Sequence, residues 1–351
     1  MGDDVMRAAV YHGAGDIRIE QRPVPSPSAG ELLVRVLRSG LCGTDVTEWS
    51  SGPHMIPLTT RHPHSTHSGP MIPGHEIVGE VVSAPGDSEF TVGTRVVSGA
   101  QVPCGTCARC TEGRVNICEQ LYSLGLNANG GHAEYLVGPV GSFVAVPPAL
   151  DLDAAGLTQP LAVGLHAARR SGARAGDSVL VSGAGAIGSF VIAGLRFLEP
   201  TLHITATDID EVALARAQRI GADEIVVAGS ASSHSQVFDV TIEASGAPGT
   251  LAACLDRTRR GGRALVVGMP ARPVELDMYQ LVLKEITITT TVALIASEDL
   301  TASLQILAST NLASEMLESV RPLTEITAVL EAMSRGTISG KVLLDPTGET
   351  P

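Results

Sequence analysis

One stretch of this chain, SVLVSGAGAIGSFVIAGLRFL at residues 178–198, restricts the possible fold more than any other. An apolar β-type run precedes the glycines, and a helical pattern follows them. Gly183, Gly185 and Gly188 have the GxGxxG spacing of a dinucleotide-binding turn. Gly183 permits the tight turn, Gly185 lets a pyrophosphate approach the backbone, and Gly188 lets the helix pack closely on the strand. A Gly-rich surface turn is the alternative, and the flanking strand and helix patterns disfavour it.

The residues around the turn indicate which nucleotide it binds. Ala186 and Ile187 lie between the last two glycines, where free backbone N–H groups at the start of the helix favour phosphate. Asp208 comes twenty residues after Gly188, at the end of the next apolar run, HITATD. A carboxylate there accepts hydrogen bonds from the adenosine ribose hydroxyls and repels a 2'-phosphate. The sequence therefore predicts NAD, in preference to NADP, as the cofactor.

The two parts of the chain differ in their residue patterns. After about Asp151, Ala-rich helical segments alternate with the apolar runs SVLVSG, HITATD, EIVVAG, FDVTIEA, ALVVG and ITITTTVAL. This alternation predicts a doubly wound parallel sheet, the Rossmann fold. From Met6 to about Val146, short β-type runs such as LLVRVL, IVGEVV, RVVSG and AEYLVG lie between Gly and Pro clusters. We therefore expect an α/β protein with one mostly β domain and one Rossmann domain.

Composition excludes several classes of function. Lys and Arg total 24 against 37 Asp and Glu, a net charge of -13 without a dense basic run, so no nucleic acid partner is expected. The N-terminus MGDDVMRAAVYHG lacks the apolar segment of a secretory signal. Residues 179–195 carry no charge, but their glycine turn cannot belong to a membrane-spanning helix. We expect a soluble cytoplasmic protein that does not bind a membrane.

Four of the six cysteines lie in CGTCARCTEGRVNIC, namely Cys104, Cys107, Cys110 and Cys118. Disulfides do not persist in a reducing compartment, so clustered thiols indicate a metal site. Zinc is favoured over an iron–sulfur cluster, because bacterial ferredoxins have a shorter last gap. The alternative, four unligated thiols on a loop, is disfavoured because such thiols would be readily oxidised. A zinc with four sulfur ligands has no open position, so this ion is predicted to be structural.

Cys42 in LCGTD, and His75 with Glu76 in PGHEIVGEV, are candidates for a second metal site. None is diagnostic alone, since a single Cys is more often a packing residue and a His–Glu pair ordinary surface chemistry. Together with the four-Cys loop and the dinucleotide turn, in this order, they resemble the zinc-dependent medium-chain dehydrogenase/reductase (alcohol dehydrogenase) family. Other matching segments are GGHAEYLV, PLAVGLHAARRSG, GGRALVVG and SGKVLLDP. The long loop before GHE is most similar to the 2,3-butanediol and sorbitol dehydrogenase branch.

The resemblance implies a domain organisation that is discontinuous in sequence. A GroES-like, mostly β catalytic domain with both zinc sites is expected at residues 1–155. The Rossmann domain is expected at residues 156–296, and residues 297–351 are expected to return to the catalytic domain.

The resemblance also implies roles for individual residues. Cys42, His75 and Glu76 would hold a catalytic zinc with an open position, where the ion acts as a Lewis acid on the substrate oxygen. Thr44 matches the family's proton-relay hydroxyl. Asp45 is expected to fix the ring of His75. The expected cofactors are therefore two zinc ions per subunit and NAD.

Two residues depart from the family pattern. Thr47 stands where close relatives have a His three residues after the relay hydroxyl, so the proton must leave by another route. Gln159, in TQPLAV, replaces a Glu that lies near the zinc in butanediol and sorbitol enzymes. A neutral amide should favour an ionised alcohol but bind the metal less tightly. The loop histidines between residues 54 and 67 are interpreted as exposed entrance residues rather than ligands, and Cys254 as helix packing.

The leading hypothesis is a zinc-dependent enzyme that transfers a hydride between NAD and a small secondary alcohol or ketone of a diol, polyol, sugar or cyclitol. A metal-independent NAD(P)H reductase on the same fold and a non-catalytic NAD-binding protein are the alternatives. The run ITITTTVAL resembles the late Rossmann strand through which the family often dimerises, so a homodimer or homotetramer is expected.

Overall fold

The computed structural model describes residues 5–230 and 236–348. Within these ranges the strands, in chain order, are β1 (Val5–Gly13), β2 (Asp16–Pro23), β3 (Glu31–Gly40), β4 (Glu76–Ser83), β5 (Arg95–Ser98), β6 (Gln101–Val102), β7 (Tyr122–Ser123), β8 (Tyr135–Pro139), β9 (Phe143–Ala145), β10 (Ser178–Ser182), β11 (His203–Asp208), β12 (Glu224–Val227), β13 (Phe238–Glu243), β14 (Thr258–Val266), β15 (Thr287–Thr290), β16 (Leu317–Pro322) and β17 (Lys341–Asp345). The α-helices are α1 (Gly43–Ser51), α2 (Ala108–Thr111), α3 (Leu152–Ala155), α4 (Thr158–Ser171), α5 (Ala186–Leu198), α6 (Glu211–Ile220), α7 (Thr250–Arg257), α8 (Met278–Lys284), α9 (Ala296–Ser309), α10 (Leu312–Met316) and α11 (Ile326–Ser334).

The chain forms two compact units. Unit 1 comprises residues 1–159 and 295–351, and unit 2 comprises residues 160–294. No helix in the part of the chain that the structure describes is long and apolar enough to span a bilayer. The apolar helix α5, which carries a single charged residue, Arg196, has 13 residues, and at 1.5 Å per residue it covers only about 20 Å.

Unit 2 contains a six-stranded parallel sheet in the order β12-β11-β10-β13-β14-β15. Its central strands β10, β11 and β13 are buried on both faces, with Val179, Val181, Ile204, Val240 and Ile242 in one apolar cluster, whereas the edge strands β12 and β15 are more exposed. The six apolar runs of the sequence form these six strands, which confirms the doubly wound α/β fold. The strand order reverses at β10, between β11 and β13, and the crevice at the carboxyl ends of strands at such a reversal is where ligands bind.

Unit 1 is mostly β, as predicted for a GroES-like domain. A seven-stranded sheet runs in the order β16-β17-β3-β4-β5-β9, and β8 also pairs with β3. Strand β3 alternates between buried and partly exposed residues, so that Leu32, Val34 and Val36 enter the core. The strands β6 and β7 form a separate two-stranded ribbon, as do β1 and β2.

The end of the chain completes unit 1. Strand β17 pairs antiparallel with β3, with Leu343 opposite Gly40. Leu330 of α11 and Val342 of β17 join Leu41 in one buried apolar cluster. This pairing brings the first residue of β17 next to the segment that leads into α1.

The segment between α1 and β4 contains no helix or strand, as its Pro and His content predicts. The buried carboxylate of Glu48 anchors it to α1 by accepting the backbone N–H groups of His54 at 2.9 Å and Met55 at 2.5 Å. The hydroxyl of Tyr11 donates to the Glu48 carbonyl at 3.0 Å. These contacts hold the segment without regular secondary structure.

Candidate functional site

Cys42, His75 and Glu76 lie together in unit 1, with one ligand atom of each within 4.8 Å of the others. Cys42 is the N-cap of α1, and Glu76 begins β4 directly after His75. Glu76 stands opposite Gly40 in the β3–β4 pairing. A Cβ at Gly40 would lie 2.1 Å from Glu76 Oε2, so the carboxylate has room only because residue 40 is glycine.

The first turn of α1 fixes the position of Cys42. The backbone N–H of Cys42 donates to Asp45 Oδ2 at 2.9 Å, which closes a capping box at the helix N-terminus. Thr44 Oγ1 lies 3.8 Å from Cys42 Sγ. The LCGTD sequence thus folds so that a thiol, a hydroxyl and a carboxylate surround one helix start.

Asp45 lies between two buried imidazoles. Its Oδ1 is 3.9 Å from His75 Nδ1 and 3.9 Å from His132 Nε2, which is longer than a hydrogen bond. Burial alone would lower the pKa of His75, but the Asp45 carboxylate and the Cys42 thiol outweigh it and raise that pKa to about 9. Asp45 therefore acts on His75 in this structure through charge and not through a direct hydrogen bond.

His132 was not among the residues singled out from the sequence. It is fully buried, and its Nδ1 lies 2.8 Å from Ser39 Oγ. Burial lowers the pKa of His132 to about 4. The Asp45 carboxylate acts in the opposite direction, but it offsets the effect of burial only in part. A Cβ at Gly74 would lie 2.6 Å from His132 Nδ1, so this neutral ring packs directly under the GHE segment.

Lys341 is the second residue that sequence reasoning missed. Its Nζ, at the start of β17, donates to Glu76 Oε1 at 2.7 Å and to the Leu41 carbonyl at 2.6 Å. Both members of the ion pair are buried. Burial alone would lower the pKa of Lys341, but nearby negative groups, with the Glu76 carboxylate first among them, outweigh it and raise that pKa. The available signal was the lone Lys in SGKVLLDP, which is the first residue of the fully buried strand KVLLD.

Replacing Lys341 by Met is expected to lower the thermal stability of the protein strongly. In the metal-free protein, loss of one member of this buried ion pair costs about 3–5 kcal/mol, because Glu76 is left as an uncompensated buried charge. The change in melting temperature, followed by circular dichroism, measures this loss. The double variant Lys341→Met/Glu76→Gln removes that charge and should recover part of the stability. Equal melting temperatures for Lys341→Met and wild type would contradict the account of this pair.

The residues around Cys42 fit a zinc ion. A thiol, an imidazole and a carboxylate are the donor types that zinc binds in catalytic sites. Glu76 Oε2 is buried and has no hydrogen-bond partner within the described residues. Three protein ligands would leave the fourth tetrahedral position of zinc for a substrate oxygen or water.

The four clustered cysteines also converge on one point. Their sulfurs lie within 4.8 Å of one another, with Cys107 Sγ 3.6 Å from Cys110 Sγ and 3.8 Å from Cys118 Sγ. A tetrahedron with zinc–sulfur bonds of about 2.3 Å has edges of about 3.8 Å, so the spacing suits a metal and is far longer than a disulfide. Backbone N–H groups of Thr106 and Cys107 lower the pKa of Cys104 to about 6, whereas burial is the first cause that raises the pKa of Cys110 to about 12, so a metal would displace the proton from Cys110 on binding.

The glycine turn in unit 2 has the form that a dinucleotide site needs. Gly183 has φ +98°, and Gly185 is the N-cap of α5. A Cβ at Gly188 would lie 1.8 Å from the Gly183 carbonyl oxygen, whereas a Cβ at Gly185 would have nothing within 4 Å. Ala186 and Ile187 form the first turn of α5. The turn is thus tightly packed at Gly188 and open at Gly185, and it fits a pyrophosphate at the helix N-terminus.

Asp208 is the last residue of β11, beside the turn. Its Oδ2 accepts the Ala184 N–H at 2.6 Å, and its Oδ1 accepts the Asp210 N–H at 3.0 Å. A carboxylate has about four acceptor positions, so it retains capacity for ribose hydroxyls. Asp208 therefore also helps to hold the turn, a contact that the sequence did not reveal.

The remaining candidates lie in different surroundings. Gln159 is the second residue of α4 and is buried. Its proximity to the metal ligands remains a prediction from the sequence. Thr47 is exposed and donates from Oγ1 to the Gly43 carbonyl at 3.0 Å. His62 Nδ1 accepts backbone N–H groups within its own loop. Cys254 is buried on α7, where burial is the first cause that raises its pKa to about 12.

Comparison with known proteins agrees with this arrangement. Residues 28–148 match the alcohol dehydrogenase GroES-like domain, and residues 186–309 match the zinc-binding dehydrogenase family. Sorbitol dehydrogenase of Bacillus subtilis is 31% identical over 76% of this chain and 76% of its own length. L-threonine 3-dehydrogenase of Shewanella woodyi is 31% identical over 76% of this chain and 78% of its own length.

A solved structure gives the same result for the fold. The crystal structure of 2R,3R-butanediol dehydrogenase from Bacillus subtilis superimposes with a TM-score of 0.87 at 28% identity, over 97% of this chain and 99% of that one. Fold and site together define a medium-chain dehydrogenase with a Rossmann unit. The chain belongs to the zinc-dependent alcohol dehydrogenase family, and it is an oxidoreductase of that type.

Proposed function

We propose that this protein is an NAD-dependent dehydrogenase of secondary alcohols in diols, polyols, sugars or cyclitols. The observation that carries the proposal is the convergence of Cys42, His75 and Glu76 beside Thr44, in a chain whose other unit has an open dinucleotide turn. The names of the relatives support this substrate class, since they include a sorbitol and a butanediol dehydrogenase.

In the proposed mechanism each residue has a separate task. Zinc would polarise the alcohol oxygen and NAD would accept the hydride, which is the chemistry that these groups supply when bound. Cys42, His75 and Glu76 would hold the ion. Thr44 Oγ1, which lies beside Cys42 Sγ, would accept the alcohol proton while the hydroxyl releases its own proton towards the nicotinamide ribose and water. Lys341 would keep Glu76 in place through its contact with Oε1.

The carboxylate of Asp208 supports NAD over NADP, because it would repel the negative charge of a 2'-phosphate. The closed sulfur cage of Cys104, Cys107, Cys110 and Cys118 supports a second, structural zinc. We therefore expect two zinc ions and one NAD in each subunit.

A substrate panel tests the proposed function. Diols, polyols and aminocyclitols would be assayed with NAD and NADP, before and after removal of metal by a chelator. NADH formation that disappears with the metal and returns with added zinc supports the proposal. Reduction of activated C=C bonds that survives chelation would instead favour the metal-independent reductase, and binding of NADH without any turnover would favour a non-catalytic protein.

The Gln159→Glu substitution is expected to increase metal retention and to change the pH dependence of turnover. A carboxylate near the zinc adds negative charge, which binds the cation more tightly and disfavours ionised alcohol, so the acidic limb of the kcat/KM profile should move to higher pH. Zinc loss during dialysis and the pH profile measure the two effects. If neither changes, Gln159 has no influence on the metal site.

We also propose a homodimer built through the β15 edge of the unit 2 sheet. Strand β15 ends the sheet, and the neighbouring helix α8 exposes Met278, Tyr279 and Val282 at 60%, 70% and 72%. An edge strand beside exposed apolar side chains is favourable for pairing with a second copy. Tyr279→Glu with Val282→Glu is expected to give monomers in sedimentation velocity. A wild-type protein that is monomeric at micromolar concentration would contradict this interface.

A further inference from the structure

Ala184, within the glycine turn, is held by three side chains of unit 2. Its N–H donates to Asp208 Oδ2 at 2.6 Å, and its carbonyl accepts from Ser189 Oγ at 3.0 Å. Arg216 Nη2, on α6, approaches the same carbonyl at 3.4 Å. The peptide groups on both sides of Ala184 are therefore oriented by groups from three different elements.

Arg216 is unusual because it is buried, with only 5% of its surface exposed. It shares the buried part of α6 with Ala213, Leu214 and Ala217. An aliphatic residue would satisfy this amphipathic pattern, whereas burial of a guanidinium is unfavourable unless its partners offset the lost hydration. A cation at this position is expected to supply an interaction that an aliphatic side chain cannot.

The location of this charge suits a turn that binds phosphates. The open side of the turn is at Gly185, where a Cβ would meet no atom within 4 Å. Arg216 contacts the turn through Ala184, which is itself fully buried. A positive charge at this buried carbonyl acts through protein rather than water, so it is screened less than a surface charge.

We propose that Arg216 is a positioning residue of the dinucleotide site. It holds the Ala184 carbonyl, which orients the glycine turn, and its buried charge raises the affinity of the turn for a diphosphate. This inference rests on the proposed use of a nicotinamide dinucleotide. It concerns the phosphates and not the adenosine or the alcohol.

Binding of ADP-ribose and of adenosine separates this role from a general structural one. Both ligands would be measured by displacement of NADH, followed by NADH fluorescence. Arg216→Met is expected to weaken ADP-ribose about tenfold and to change adenosine by less than about twofold, because only ADP-ribose carries the diphosphate. Arg216→Lys keeps the charge and should bind ADP-ribose within about threefold of wild type.

The outcomes distinguish this inference from the proposed function. If ADP-ribose binds Arg216→Met as well as wild type, or if both ligands weaken in parallel, the role of Arg216 is wrong while the proposed function stands. If wild type does not bind NADH, both are wrong. Should Arg216→Met not fold, Arg216→Gln keeps an N–H donor without charge and must show the same selective loss of ADP-ribose binding.

Discussion

Cys42→Ser is expected to lower kcat/KM for alcohol oxidation by at least about 10³-fold, because a metal Lewis acid supplies several kcal/mol of stabilisation. A serine hydroxyl is a poor replacement for the thiolate that zinc prefers. Cys42 lies in unit 1, whereas the glycine turn lies in unit 2. NADH binding should therefore stay close to the wild-type value. Steady-state kinetics and NADH titration measure the two properties separately.

Cys254→Ala is the matched control for this substitution. Cys254 is also a lone cysteine outside the clustered four, but it is buried on α7 and lies in neither group of possible metal ligands. We expect Cys254→Ala to keep its zinc content and most of its turnover. Full activity of Cys42→Ser with reduced zinc content would show that the metal at this position does not take part in the reaction.

Gly188→Ala and Gly185→Ala are expected to fail in different ways. At Gly188 the new Cβ would lie 1.8 Å from the Gly183 carbonyl oxygen, a backbone atom that cannot rotate away. This clash should destabilise unit 2 by about 3 kcal/mol or more. At Gly185 the new methyl meets open space, so stability should change by about 1 kcal/mol or less.

Affinity for NADH, unlike stability, is expected to depend more directly on Gly185 than on Gly188. A methyl at Gly185 occupies the side of the turn from which a pyrophosphate approaches, so the Kd of NADH should rise at least about tenfold in a protein that remains folded. Thermal melts and NADH titrations of both variants provide the comparison. Normal NADH affinity in Gly185→Ala would show that the phosphates do not bind at this turn.

Much of the fold could be predicted from patterns that are local in sequence. The six apolar runs after residue 178 became six parallel strands, because β-rich runs between helical segments pack in only a few ways. The GxGxxG spacing predicted that Gly188 lets the helix pack closely on the strand, and a Cβ at Gly188 would indeed lie 1.8 Å from the Gly183 carbonyl oxygen. The short ribbons, such as β6 with β7, carry too few residues to show a period.

The site could be predicted only as far as its ligand types. Lys341 and Glu76 are separated by 265 residues, and they meet because β17 and β4 both pair with β3. His132 joins the network around Asp45 through its packing under Gly74, which no spacing in the sequence reveals. Contacts between residues far apart in sequence depend on the fold. Reasoning from a single sequence could therefore propose the metal ligands, but not the buried residues Lys341 and His132 that surround them.

Anomalous diffraction at the zinc edge, from crystals of the zinc-loaded protein with NAD, tests the central claim most directly. The account predicts two zinc peaks per chain, one bounded by Cys42 Sγ, His75 and Glu76 and one inside the cage of Cys104, Cys107, Cys110 and Cys118. A single peak confined to the cage, in crystals of active protein, would contradict the proposed catalytic metal.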